Sequence, residues 1–475
     1  MDATIVAVRV ARRPEASRCR GTLCARCAGL REGNCVDRFF KISERGSTVG
    51  NEVIGGLTTF LAMAYIIAVN PLMMNIAGME FDAALTATCF GAAAMTIAMG
   101  VIANRPIALA SGMGINAIVA FSLCSADALG VDWRVAMGVI FLEGIAILVL
   151  VLCGLRKAIM EAIPVNLRRA IGVGIGLFVA FIGLKGGGVI VSNESTYLAM
   201  GSLTSPIAIV SLVSIGVAVV LEVMRVKGSL LISIVAATIV GIPLGVTTVP
   251  TELHFGLNFA TFAAPFQIDP SSQTLAIVQV LVTPALLMFV FSLLMSDFFD
   301  TMGTVVAVGD QADFVDKDGN IEDVQPILLV DSTAAAVGGF MGASSITTFV
   351  ESTAGASAGA RTGLSNIVIG ALFVVFAFFA PIIGMVSASA TCGALVVVGY
   401  LMLTGVGEID WSLPESAFPA FATIMGIPLT YSITNGIGFG FVSYVVVKVA
   451  QGKIAEVKPL MWVASLAFLL MFIFS

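Results

Sequence analysis

Charge is what this chain has least of. Only 11 % of its 475 residues are Asp, Glu, Lys or Arg, and 58 % are hydrophobic; soluble domains run at about 25 % charged. A soluble protein of this length is excluded. There is one histidine, His254, and it lies in a connecting loop, so a histidine proton relay is not expected. No G-x-x-x-x-G-K-[ST] loop is present, so nothing points to ATP drive. Short segments of strict alternation, which a membrane β-barrel would need, are also missing. Of eight cysteines, Cys89, Cys124, Cys153 and Cys392 lie in apolar runs and read as small packing residues. Cys19, Cys24, Cys27 and Cys35 lie near the start, Cys24 and Cys27 as a C-x-x-C pair. Four thiolates suit zinc, but no apolar pattern surrounds them, and a disordered cytoplasmic tail is the simpler expectation. Neither a cofactor nor a nucleic acid partner is expected.

What the chain has instead is long apolar segments. They fall at about 53–77, 82–102, 107–125, 134–153, 160–184, 206–224, 229–247, 277–307, 327–342, 344–361, 364–386, 388–404, 415–433, 434–451 and 459–475. Most reach the roughly 17–25 residues that a bilayer-crossing helix takes. The chain therefore reads as an all-α polytopic membrane protein of about 14 segments, its partner the lipid bilayer. With the N-terminus in the cytoplasm, 22 of 24 Lys and Arg fall on the cytoplasmic side; only Arg134 and Lys185 do not. Residues 246–273 contain neither Lys nor Arg. The positive-inside rule thus sets the orientation. The last segment, 459–475, is expected as a reentrant or in-plane extra, or as a sign that 415–451 is one segment.

Two segments are broken at matching places if the chain is cut into two groups of seven. Ser111, Gly112, Met113 and Gly114 interrupt one just before Asn116, and the run TTFVEST interrupts the other before the small residues STAGASAGA. Seven is odd, so the second group enters the membrane inverted. Inverted repeats with paired broken helices at the midplane are a construction of secondary transporters. The stretch 291–362 carries Asp297, Asp300, Asp331 and Glu351 in otherwise apolar surroundings. A carboxylate at that depth costs about 2.5–3.5 kcal/mol on insertion scales, so intramembrane acids default to functional candidates. Asp297 and Asp300 share one helix face.

Asn116, Asp297, Asp300 and Glu351 together offer acceptors and, when protonated, donors. They suit a neutral, planar, polar solute and suit an anion poorly, because no Lys or Arg accompanies them. Phe298, Phe299 and Phe349 are candidates for a stacking face. A desolvated carboxylate can load and release a proton with the solute; sodium is the other coupling ion such oxygens allow. Asp300, beside Thr301 and Thr304, also has a structural reading in holding its helix. Asp331, beside Ser332 and Thr333, reads more simply as bonding the backbone of a broken helix. Glu143 and Glu222 are isolated acids, and GDQADFVDKDGNIED (309–323) reads as a solvated turn rather than a calcium loop.

Five motifs carry a resemblance: NEVIGGLTTFLAMAYIIAVNP (51–71), SGMGINAIVAF (111–121), SDFFDTMGTVVAVG (296–309), TTFVESTAGASAGARTGL (347–364) and GIPLTYSITNGIGFGF (426–441). They resemble the AzgA-type purine permeases, within the nucleobase–ascorbate transporter group. The resemblance implies two inverted seven-segment repeats with short extended stretches in segments 3 and 10, arranged as a core domain and a gate domain. Core halves are expected at 39–153 and 277–386, gate halves at 154–250 and 387–475, with 1–38 a basic tail. It implies a proton-coupled symporter for guanine, hypoxanthine and adenine in the cell membrane, homodimeric and not an enzyme. It places substrate on Asn116, Asp297 and Glu351 and makes Asp300 functionally important. Gly114, Phe349 and Thr353 are expected beside the substrate, and Asp300, Glu351 and Asp331 in proton coupling or site support. Met113 and Ser296 stand where the family commonly has Leu and Val; neither change removes a polar group. The alternatives are another solute on the same fold, such as uracil, xanthine or an inorganic anion, and a membrane enzyme or receptor.

Overall fold

The computed structural model describes residues 35–126, 128–154, 164–193, 195–249, 256–314 and 324–474. Residues 1–34 of the cysteine-bearing tail, His254 and most of the acidic 309–323 turn lie outside the described residues; the last part of the expected disordered tail, from Cys35, is instead a short helix, Cys35–Phe40. Nine described helices have the length and composition to cross a membrane, and shorter apolar helices accompany them. The count falls below fourteen for a physical reason: the two broken segments are half strand, and several partners are short.

The first group of helices packs as one body. A helix pair, α1 (Val49–Met63) and α2 (Ile66–Ile76), makes the first segment. It begins where the Thr48 hydroxyl accepts from Asn51 N at 3.2 Å, an ordinary N-cap. Next come α3 (Phe81–Ala98), then β1 (Leu109–Ser111) running into α4 (Met113–Ala117), then α5 (Trp133–Leu152). The second group follows: α6 (Val165–Gly186), the exposed hairpin β2 (Ile190–Asn193) and β3 (Tyr197–Met200), α7 (Pro206–Val223) and α8 (Ser229–Gly241). The chain then repeats the plan with α9 (Pro284–Gln311), α10 (Val324–Met341), β4 (Ile346–Thr348) into α11 (Ser352–Ser357), and α12 (Leu364–Ala377). It closes with α13 (Ala388–Leu403), α14 (Pro414–Leu429), α15 (Ile433–Ala450) and α16 (Pro459–Phe474).

Contacts sort these elements into two bodies. Helices α1, α3, α5, α10 and α12 pack on one another, while α6, α7, α8, α13, α14 and α15 pack among themselves. These are the core and the gate of a two-repeat fold. Small residues bring the axes close, as expected where packing rather than the hydrophobic effect drives helix association. A Cβ placed on Gly144 would lie 2.6 Å from Ala336 Cα, and one on Gly176 would lie 2.9 Å from Gly399 O. The 414–450 region is a true hairpin: α14 and α15 pack side by side, and a Cβ on Gly436 would fall 2.5 Å from Ile427 N. The division into 415–433 and 434–451 therefore holds, and the merged alternative does not. Helix α16 packs on α15, with Ser465 Oγ donating to Phe441 O at 3.0 Å and the Phe472 and Phe439 ring centres 5.2 Å apart.

Gly144→Val should lower the unfolding midpoint of the detergent-solubilised protein, because overpacking costs about 1–3 kcal/mol and here the obstruction is backbone. An unchanged midpoint would contradict the close approach of α5 and α10.

Candidate functional site

Extended backbone at membrane depth must find hydrogen bonds inside the protein, and β1 and β4 find them in each other. They pair antiparallel, with Leu109 opposite Thr348, Ala110 opposite Thr347 and Ser111 opposite Ile346. The β-branched run Ile346-Thr347-Thr348 favours the pleat. The pairing continues through Phe349 N to Ala108 O and Gly112 N to Ser345 O, each 2.9 Å. Side chains satisfy the remainder. Thr96 Oγ1 accepts from Leu109 N and donates to Leu109 O, at 2.9 and 2.8 Å. Asn366 Nδ2 donates to the carbonyls of Arg105 and Ile107, and Ser352 Oγ accepts from Ala108 N. Gly112 is required at the crossing, since a Cβ there would lie 2.9 Å from Thr347 Cγ2.

Asn116 sits on the short helix after β1 and is fully buried. Its Oδ1 accepts from Ser111 Oγ at 2.7 Å, while its Nδ2 has no partner. Gly114 faces the second body: a Cβ there would meet Ile175 Cγ2 of α6 at 2.8 Å. From α9 come Asp297, 1 % exposed, and Asp300, which water reaches. Both oxygens of Asp297 are buried without a hydrogen-bond partner. Glu351 stands at the start of α11, half-buried, and its Oε1 accepts from Tyr65 Oη at 2.7 Å.

Asp300 interacts electrostatically with Glu351 and Asp331, and Tyr65 with Glu351 and Asp300. Asp297 interacts with Glu143, Asp331 and Asp300. Asp331 accepts from side chains: Thr301 Oγ1 donates to its Oδ2 at 2.9 Å, and the Thr347 hydroxyl lies 3.5 Å from its Oδ1. Ser332 and Thr333 bond back to Leu328 O and Leu329 O of their own helix. Thr304 is buried on the same helix as Asp300. Phe349 and Phe298 are buried, and the Phe299 side chain lies outside the described residues. Thr353 donates to Val350 O at 2.7 Å and so is occupied by its own turn. Arg361 binds Ala356 O, Ala360 O and Asp313 at the far end of α11, away from the strand crossing. Tyr65, Ser111 and Ser345 are contributors that the sequence pattern did not single out; Tyr65 was legible only as one of five tyrosines, with its hydroxyl in an apolar segment.

Next to this region, a cavity of about 1770 Å³ opens between the two bodies. It is lined by Phe121, Ser125, Phe289, Thr391 and Asn435, and by Lys185, whose ammonium lies 4.5 Å from the centre of the Tyr431 ring.

Paired broken segments that carry acids and an amide between two helical bodies define a membrane transporter. Residues 50–439 match the Permease family Xan_ur_permease, and the chain belongs to that family. It is 40 % identical over 433 residues to the guanine/hypoxanthine permease PbuO of Bacillus subtilis (strain 168), covering 90 % of this chain and 98 % of that protein. It is 36 % identical to the adenine permease AdeP of Escherichia coli (strain K12), covering 92 % and 96 %. A putative permease, MJ0326, of Methanocaldococcus jannaschii is 38 % identical, covering 92 % and 98 %. The fold is similar to the transmembrane domain of the cyanobacterial bicarbonate transporter BicA, with TM-score 0.60 and 16 % identity over 81 % of this chain and 97 % of that one. The fold is also similar to that of SLC26A9, with TM-score 0.60 and 13 % identity over 85 % of this chain and 66 % of that one.

Tyr65→Phe should destabilise the protein by about 1.5–3 kcal/mol if its hydroxyl bonds a charged Glu351, read as a fall in the detergent unfolding midpoint. A midpoint equal to wild type would show that the bond contributes nothing.

Proposed function

We propose that this protein is a proton-coupled symporter that imports purine nucleobases across the cell membrane by alternating access. One observation carries the reading: Asn116 Nδ2 and both oxygens of Asp297 are buried without partners beside the strand crossing. A buried polar atom left unpaired costs about 1–3 kcal/mol, and a purine edge with N–H donors and ring acceptors would satisfy these atoms together. The substrate class is supported by the printed names of the guanine/hypoxanthine and adenine permeases, similar along nearly their whole length.

In this reading Glu351 and Asp297 clamp the N–H edge of the purine and Asn116 reads the opposite edge. Asn reads adenine this way elsewhere. Phe349 and Thr353 bound the site, and Gly114 lets the first body approach the second. Asp300 passes charge between Asp297 and Glu351, and Asp331 supports the site. The core halves, 39–153 and 277–386, rock against the gate halves, 154–250 and 387–475, exposing the site to each side in turn. The N-terminus is cytoplasmic and the unit is a homodimer. Anion transport is disfavoured, although the fold is shared with bicarbonate and SLC26 proteins, because the candidate residues are acids and an amide and none of Asp297, Glu351 and Asn116 is bonded to a base among the described residues.

Labelled guanine, hypoxanthine and adenine should enter cells lacking their own permeases in a saturable way that a proton uncoupler abolishes. Glu351→Gln and Asp297→Asn should each lower uptake at limiting purine by about 10- to 100-fold, the equivalent of one charge-assisted hydrogen bond. Unchanged kinetics in both variants, or uptake of sulfate rather than purine, would overturn the assignment.

A further inference from the structure

Three elements run from the wall of the cavity of about 1770 Å³ toward the strand crossing, each along one helix face. On α2, Ile76, Leu72 and Val69 line the cavity, and the same row continues to Tyr65, the partner of Glu351. Past β1, Ala120 lines it, one turn from Asn116 through the wide helical turns of Ile118–Leu123. On α9, Phe289 lines it, and Ser292, Ser296 and Asp300 follow at i+3, i+7 and i+11 of the same helix. Residues so spaced share a face. The cavity lies where α2 and α6 end and α9 and α13 begin, at the side of the bundle opposite the start of α1.

A ring stands at the inner end of this cavity. Tyr431, between α14 and α15, meets Phe121 of the first body edge-on with ring centres 5.5 Å apart, and meets Phe178 and Phe181 of α6 at 5.2 and 5.9 Å. Phe178 is one turn from Ile175, the α6 residue that faces Gly114. The Tyr431 backbone is left-handed, with φ 54°, where Ser432 N bonds back to Ile427 O and Tyr431 N to Pro428 O. Such helix ends ordinarily carry Gly, sometimes Asn. A bulky side chain held in this conformation is an outlier that points to function.

We propose that the cavity is the entry path of the solute to the strand crossing, and that the Tyr431 ring is the gate across it, closed by its contact with Phe121. The path rests on the transport reading above, but not on which solute is carried.

The walls fit a flat, polar solute. Phe121, Phe289 and Tyr431 offer rings for stacking, and Ser122, Ser125 and Asn435 offer polar groups. Ser122 Oγ in the wall and Ser292 Oγ behind the ring are buried without a hydrogen-bond partner, so a passing solute has groups to bond. Ser292 and Ser296 are buried, so the path is shut behind the ring in this structure. Movement of the first body against the second draws Phe121 away from Tyr431 and uncovers the α9 row down to Asp300.

Natural cysteines test the path. Cys124 lines the cavity, Cys153 is exposed at the far end of α5, and Cys89 and Cys392 are buried. A sulfonated maleimide, given to the protein in lipid nanodiscs and read for each cysteine by mass spectrometry, should modify Cys124 and Cys153 and spare Cys89 and Cys392. Protein so modified and then reconstituted into liposomes should no longer exchange hypoxanthine, whereas Cys124→Ser should keep its own rate after the same treatment. An unmodified Cys124, or undiminished exchange after its full modification, would overturn the path. Untreated wild type that exchanges no hypoxanthine would sink the purine reading instead, and the labelling, which needs no purine, would still decide the gate.

Ser292→Cys puts a thiol behind the ring. Its modification should be slow with Tyr431 or Tyr431→Phe in place and at least about tenfold faster with Tyr431→Asn, as when a minor open state becomes the common one. Asn accepts left-handed backbone, and Tyr431→Gly replaces it if that protein is not monodisperse. Equal rates with and without the ring, or a Tyr431→Phe rate matching that of Tyr431→Asn, would overturn the gate.

Discussion

The strand crossing is the constraint on which the rest of the protein depends. Two stretches of extended backbone lie at membrane depth, where an unpaired amide or carbonyl costs several kcal/mol. Pairing β1 with β4 removes most of that cost and fixes the two halves of the first body to each other. The remainder is met by Thr96, Ser352 and Asn366, which is why polar residues stand in otherwise apolar helices. Because the crossing is rigid, Asn116 and Glu351, just beyond the two strands, are delivered to defined positions. Because it is thin, the acids of α9 can approach it.

A second consequence is electrostatic. Among the described residues, Glu143, Asp297 and Glu351 form no ion pair with Lys or Arg. Lysine and arginine are instead placed at helix ends: Arg361 ties off α11, and Lys448 pairs with Glu415 and Glu456 where α15 leaves the bundle. Acids and an amide without a base bound to them suit a neutral solute in the proposed reading, and the shared fold alone does not fix the cargo.

Much of this was legible in the sequence, and what was not has a physical explanation. Segment positions followed from length and hydropathy, and the breaks at Ser111–Gly114 and at TTFVEST marked the two strands. The break itself is visible because a β-branched run and glycines disrupt the helical period. The residues that complete the site were harder to find. Tyr65 and Glu143 lie on unbroken helices far from the motif in sequence, and only packing brings them to Glu351 and Ser345. Asp331 read as a structural anchor because Ser332 and Thr333 flank it; those hydroxyls turn back on their own helix, and Asp331 accepts from Thr301 of the neighbouring helix. The course of 459–475 was not legible either, since a uniformly apolar helix carries no pattern that says which neighbour it will pack against.

The most direct measurement is an experimental structure of the protein with hypoxanthine bound. The account predicts the ring between the β1–β4 crossing and the middle of α9, within hydrogen-bond distance of Asp297, Glu351 and Asn116. A ring held instead in the neighbouring cavity beside Lys185 and Tyr431, touching neither carboxylate, would contradict it.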